Sequence, residues 1–191
     1  MDPAEVARLL ADRLEAAHIP YTIGGAIAYA YWGVARGTHA VDINLFIAPE
    51  QFAETLDIPI PAGLTIDRTT ALTSAEERGN ARGFVGDVPV DMFVDSIPLH
   101  EEAARRVATV SLFDRPIRIL SAEDLVVLKL LFFRGKDIVD IDRVLSLQGD
   151  RLDRAYIRRW LVDSVGEEDE RVQKWNQLCT TIPVPLKVDE Q

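Results

Sequence analysis

Two periods of hydrophobic and polar positions run through this chain. Over residues 3–17 the apolar side chains Val6, Leu9, Leu10 and Leu14 recur every three to four residues, the spacing of one helix face. Asp2 stands where it can cap that helix, Pro3 suits its first turn, and His18-Ile19-Pro20 stops it. Residues 21–23 predict a short strand ending in Gly24-Gly25, and 26–32 a helix of small residues. At 41–47 the period falls to two, so Val41, Ile43 and Leu45 share one face of a predicted strand. Ala48-Pro49-Glu50 opens a short helix. Residues 64–75 read as a strand followed by a loop, and 79–83 as turns. Residues 83–85 and 88–94 predict a hairpin about Gly86-Asp87. A helix is expected over 100–107, then strands over 108–112 and 117–120 around Asp114-Arg115-Pro116. From the capping-box-like run that starts at Ser121 only helices follow, including 136–147, 152–165 and 168–179.

Strands mixed with helices, then helices alone, predict an α+β fold: a core over 1–120 and a helical C-terminal region over 121–191. No internal repeat is visible. A chain of 191 residues holds one sizeable domain, or a compact domain with an extension. Its 48% hydrophobic and 27% charged residues are those of a folded protein, which leaves disorder as an expectation only for the polar tail at 187–191. The longest apolar run, 125–133, is interrupted by Lys129 and falls short of a bilayer span, so no membrane partner is expected. The start, with Asp2 and no cationic region, does not predict a signal peptide. The single cysteine, Cys179, cannot form an intrachain disulfide or a zinc knuckle and reads as a half-buried structural thiol in a reducing cytoplasm. A net charge of -10 argues against broad coating of nucleic acid, though not against a small local contact.

Three features in order suggest chemistry. Ile-Gly-Gly-Ala-Ile-Ala, 23–28, joins a strand to a helix through paired glycines, where backbone N–H groups can approach an anion; alone, such a pair is most often only a turn. Along 36–47, alternation sets Thr38, Ala40, Asp42 and Asn44 on one strand face, which suits either solvent or a metal. Along 88–95, Val88, Val90, Met92 and Val94 point one way and Asp91 the other. An aspartate so placed either joins Asp42 in a site for hard cations or pairs with an arginine such as Arg82.

Taken together, glycine-glycine, Arg36-x-Thr38-x-x-x-Asp42-x-Asn44-x-Phe46, and a later Asp91 between apolar residues resemble the polymerase-β-like nucleotidyltransferases. The fuller string looks like the AbiEii and MenT-type nucleotidyltransferase toxins of bacterial toxin–antitoxin systems, over roughly 21–161. The resemblance implies a mixed sheet with flanking helices and a helical C-terminal extension. It implies an enzyme that moves a nucleoside monophosphate from an NTP to an acceptor, the tRNA 3′ end in the family, with two Mg2+ ions in an intact site. It implies a cognate antitoxin protein as partner, a kinase among the candidates. By position, Gly24 and Gly25 match the phosphate-binding turn, Arg36 and Thr38 the nucleotide-binding pair, and Asp42 and Asp91 the metal-holding carboxylates.

Ala40 stands where the family has its first catalytic aspartate, as a natural loss or an introduced inactivating change; either way the site lacks a ligand. In the segment 120–145, Lys129, Phe133, Lys136 and Asp140 share a face if the helix is continuous, which Gly135 can interrupt. Lys136 first and Lys129 second are expected to neutralise the triphosphate, with Asp140 beside them; the alternative is a routine Lys136–Asp140 pair. A phosphate on Thr38 would put negative charge beside the cation site, which makes Thr38 a regulatory candidate. His39 and His100 read as surface residues, Arg105-Arg106 and Arg158-Arg159 as candidate RNA contacts, and Trp32, Trp160 and Trp175 as packing. Two rival functions remain open: transfer to a small molecule or protein, which the acidic charge suits, and a catalytically dead binding homologue.

Overall fold

The computed structural model describes residues 1–60 and 63–181; the tail at 187–191 lies outside the described residues. The chain divides into two compact units, one of residues 1–28 and 36–121, the other of 29–35 and 122–191.

The first unit is built on a six-stranded sheet. Its first helix, α1 (Pro3–Ala16), is fixed at its start by a reciprocal cap: Asp2 accepts the Glu5 N–H at 2.8 Å and Glu5 accepts the Asp2 N–H at 2.8 Å. Val6, Leu10 and Leu14 are its buried stripe, and it lies against β2 (Val41–Leu45). β1 (Tyr21–Ile23) leads through the glycines into α2 (Gly25–Trp32), whose last turn belongs to the second unit. After β2 come a short 3-10 turn and α3 (Phe52–Thr55), then α4 (Arg68–Arg78), β3 (Asn80–Val85), β4 (Val88–Phe93), α5 (Pro98–Arg105), β5 (Ala108–Leu112) and β6 (Arg115–Ile119). The strand order is β3-β4-β2-β1-β6-β5, with β4/β2 and β1/β6 parallel and the other pairs antiparallel.

Two local expectations are corrected. Residues 68–78 form a helix rather than a strand and loop: Asp67 caps it by accepting the Thr70 N–H at 3.0 Å, and Gly79 at φ 70° closes it. Its threonines favour strands, and only Ala71 and Ala75 are buried, so the helical period is faint. The edge strand of the expected hairpin begins at residue 80, so 80–83 are strand rather than turns. Gly83 lies within it because an added Cβ would come within 3.2 Å of the Thr65 carbonyl oxygen.

The second unit is helical: α6 (Ala122–Phe132), α7 (Gly135–Gln148), α8 (Arg154–Val165) and α9 (Glu170–Thr181). α6 is apolar on nearly every side, with Leu125, Val126, Val127 and Leu130 buried, as befits the central helix of the group. The buried Tyr156 hydroxyl donates to Asp124 at 2.5 Å, and Trp175 is packed inside. α6 and α7 are not one helix: Phe133 turns left-handed at φ 54° between them. The common face for Lys129, Phe133, Lys136 and Asp140 is therefore lost. Among the described residues no helix is long and apolar enough to cross a membrane.

Candidate active site

β2 and β4 run parallel in a register that sets Asp42 directly opposite Asp91, and β3 and β4 set Arg82 opposite Asp91. Directly opposed residues project from the same side of a sheet. Asp42, Asp91 and Arg82 thus make one row across three strands, with Val41, Ile43, Val90 and Met92 facing the other way into the core.

The glycine corner abuts the same row. The Gly24 N–H donates to the Asp42 carbonyl at 2.8 Å, and the Gly24 carbonyl accepts the Ala28 N–H at 3.1 Å, which ties the strand end to the first turn of α2. Gly25 sits at φ 53°, and a Cβ there would lie 1.8 Å from Asp42 Oδ2. Only glycine gives both that backbone and that close approach of the carboxylate. Just before β2, the Thr38 hydroxyl donates to the Ala40 carbonyl at 3.0 Å; Thr38 is half-buried and Arg36 is exposed.

Asp91 has taken the arginine partner. Arg82 Nε and Nη2 donate to its two carboxylate oxygens at 2.5 and 2.7 Å, a bidentate pair. The hydrogen bonds and charge of Asp91, joined by the charge of Asp42, push the Arg82 guanidinium pKa up. Asp42 and Asp91 offer hard oxygen donors of the kind a magnesium-sized cation accepts together with phosphate and water. Ala40 offers none, and among the described residues no group of three or more His, Cys, Asp or Glu side chains is placed to hold a metal. The donor set therefore fits a single hard cation, shared with a substrate's oxygens.

On the β3 side of this row lies an open cavity of about 350 Å³. α4 supplies Thr70, Ala71 and Ser74 with the capping Asp67, and the sheet supplies Asn80, Arg82, Asp91 and Phe93. The sequence pointed to Asp91 and Arg82 but not to this wall. The alternation of Asn80 and Arg82 along β3 is the one signal that could have shown it, and the turn reading of 79–83 hid it.

Lys129, Lys136 and Asp140 lie in the helical unit. Lys129 Nζ is 2.7 Å from Asp140 and 3.5 Å from Asp137, all three buried, and 5.4 Å from the Tyr29 ring centre. Arg134 also pairs with Asp137, at 2.6 Å. Asp140 thus pairs with Lys129 rather than with Lys136, which is exposed on α7. His100 is buried rather than on the surface: burial lowers its pKa, and its Nδ1 accepts the Ser96 N–H at 3.2 Å. Arg105 pairs with Glu102, and Arg158 with Glu167. Burial raises the pKa of the half-buried Cys179 thiol.

No protein-family profile and no curated protein matches this sequence. Solved structures do. The antibiotic-resistance factor ANT(2″)-Ia in complex with adenylyl-2″-tobramycin superposes with a TM-score of 0.60 at 15% identity, over 85% of this chain and 98% of that one. Its solution structure gives 0.57 at 13%, over 84% and 90%. This is the polymerase-β-like nucleotidyltransferase fold. In that nucleotidyltransferase fold the mixed sheet and flanking helices expected from the sequence are present. A lincosamide antibiotic adenylyltransferase, LnuA, matches more loosely, with a TM-score of 0.46 at 16% identity over 71% of this chain and 92% of its own.

Proposed function

We propose that this chain is built to transfer a nucleoside monophosphate from an NTP to an acceptor hydroxyl. The observation that carries this reading is the Asp42–Asp91 cross-strand pair, held beside the glycine corner on one face of the sheet. In the reaction the acceptor oxygen bonds to the α-phosphorus while the bond from that phosphorus to the bridging oxygen breaks. Pyrophosphate leaves with the electron pair, and the hydroxyl proton passes to solvent. Asp42 and Asp91 would hold the divalent cation, Mg2+ in the resemblance, which when bound neutralises phosphate oxygens and lowers the pKa of the attacking hydroxyl. Gly24 and Gly25 let the backbone approach the phosphates, with Arg36 and Thr38 flanking them. Of the two lysines that the resemblance offers for the triphosphate, Lys129 is already spent on Asp140, which leaves the exposed Lys136.

The acceptor has two readings. The string from Arg36 to Phe46 supports a toxin acting on the tRNA 3′ end, restrained by an antitoxin partner, with Thr38 as the place where an added phosphate would repel the nucleotide. A small-molecule acceptor is favoured by the net charge of -10 and by the adenylyl-2″-tobramycin held in ANT(2″)-Ia. Because Ala40 removes one ligand, the chain as it stands is expected to transfer little. One assay tests the whole reading: the Ala40→Asp protein, four labelled NTPs taken separately, and total tRNA or tobramycin. Labelling of either acceptor that is lost again when Thr38→Glu is added supports it. Label entering only tobramycin rejects the toxin reading, and no labelling of either acceptor by any NTP sinks nucleotidyl transfer.

A further inference from the structure

We infer that the cavity between α4 and the β3–β4 edge receives the acceptor, and that it takes a hydroxylated ring carrying no phosphate, neutral or cationic. The inference rests on the nucleotidyl-transfer reading and adds where the second substrate enters. The order of groups along the sheet face argues for it: glycine corner at the end of β1, Asp42 on β2, Asp91 on β4, Arg82 on β3, then the cavity. Neighbouring strands are about 4.8 Å apart, so that series spans roughly 14 Å. Displacement at phosphorus sets the attacking and leaving oxygens on opposite sides. With the phosphates at the glycine corner and the α-phosphorus over the aspartate pair, pyrophosphate departs toward β1. The attacking hydroxyl must then come from the β3 side, where the cavity opens against Asp91 itself.

Its lining selects the chemistry. The Ser74 hydroxyl already donates to Asn80 Oδ1 at 3.2 Å, so the lining offers the Thr70 hydroxyl, the Asn80 NH2 donors and the Ser74 lone pairs, and Phe93 offers an apolar face. Asp67 and Asp91 are acidic, and the single cation among the lining residues, Arg82, is already bonded through two nitrogens to Asp91. A phosphate-bearing group would meet two carboxylates with no uncommitted cation beside it, whereas a polyol or aminosugar ring meets partners. About 350 Å³ is at the small end of ligand sites, room for one or two sugar rings. That ring could belong to a free aminosugar or to the unphosphorylated terminal ribose of a nucleic acid.

Calorimetric titrations of the chain with tobramycin and with the trinucleotide CCA, in buffer salty enough to screen the net charge, separate the two sources. Thr70→Val keeps the shape of the wall and deletes one hydroxyl; a lost hydrogen bond of this kind weakens binding roughly three- to tenfold. Ser74→Trp fills the space and should weaken binding more than about tenfold. Tobramycin affinity that falls in both variants supports a free aminosugar acceptor, and CCA affinity that does so supports a terminal ribose. Binding unmoved by either substitution, or no binding of either probe, overturns the assignment. Parallel titration with ATP reports on the glycine corner alone. ATP failing to bind the unsubstituted chain counts against nucleotidyl transfer, while ATP binding with an acceptor indifferent to Ser74→Trp counts against the cavity only.

Discussion

Each unit holds an aspartate tied to a cation, in opposite surroundings. On the sheet face the Arg82 side chain is 61% exposed and that of Asp91 21%. In the helical unit Lys129 is 4% exposed, Asp140 3% and Asp137 0%. Water can replace either partner of the first pair cheaply, because an exposed ion pair is worth about 0.2–1 kcal/mol. No such replacement is open to the second, where removing one partner strands a buried charge. The same chemistry thus makes a fixed strut in one place and an exchangeable contact in the other. An incoming cation finds a vacatable position on the sheet face and none in the buried cluster, where Lys129 and Asp140 are committed to each other.

The largest expected effect comes from breaking the strut. Lys129→Ala leaves Asp140 and Asp137 without the ammonium between them, and loss of one partner of a buried pair costs about 3–5 kcal/mol. Urea denaturation followed by circular dichroism should show the midpoint falling accordingly. A change under about 1 kcal/mol would put Lys129 in the same class as the surface arginine and erase the distinction between the two sites.

Gly25→Ala tests the corner that brings Asp42 into place. The new methyl demands a left-handed backbone at φ 53° and space that Asp42 Oδ2 already fills at 1.8 Å. Strain of this kind costs roughly 1–3 kcal/mol, so the loss should fall below that of Lys129→Ala. It should also displace the Asp42 carboxylate, and Mn2+ titration read by electron paramagnetic resonance should then show weakened binding. Unchanged Mn2+ affinity would mean that the corner and the carboxylate are independent.

What could be read from the sequence follows how local each cause is. The Asp2 cap, the strand at 41–45 and the alternation around Asp91 are set by neighbours a few residues away, and the structure has them. The glycine pair and the two aspartates could be seen as chemistry, but their register could not: that Asp42 faces Asp91 is a property of two strands that meet only in the sheet. α4 escaped because burial of just Ala71 and Ala75 leaves no stripe of large apolar residues to count. His100 escaped for a similar reason, since a polar residue on an amphipathic helix is assigned to water until the neighbouring loop, here Ser96, is seen to claim its ring nitrogen. The break between α6 and α7 turns on one left-handed phenylalanine, which no propensity favours.

The smallest expected change in stability belongs to Arg82→Gln, and it sharpens the contrast most. The pair it removes is exposed on the arginine side, so the cost should stay within about 1 kcal/mol. Its effect on cation binding separates two roles. If Arg82 occupies the position a divalent ion would take, its removal frees both oxygens of Asp91 and Mn2+ affinity rises. A competing pair worth about 1 kcal/mol corresponds to roughly a fivefold gain. If instead the two hydrogen bonds at 2.5 and 2.7 Å serve to aim Asp91, the carboxylate loosens without them and Mn2+ affinity falls. The register favours the first outcome, because β2 and β4 already fix the backbone on which Asp91 stands and Asp42 opposite it needs no help from Arg82. A rise in affinity with stability nearly unchanged makes Arg82 a counter-ion that yields to metal, the behaviour that the buried lysine on α6 cannot show.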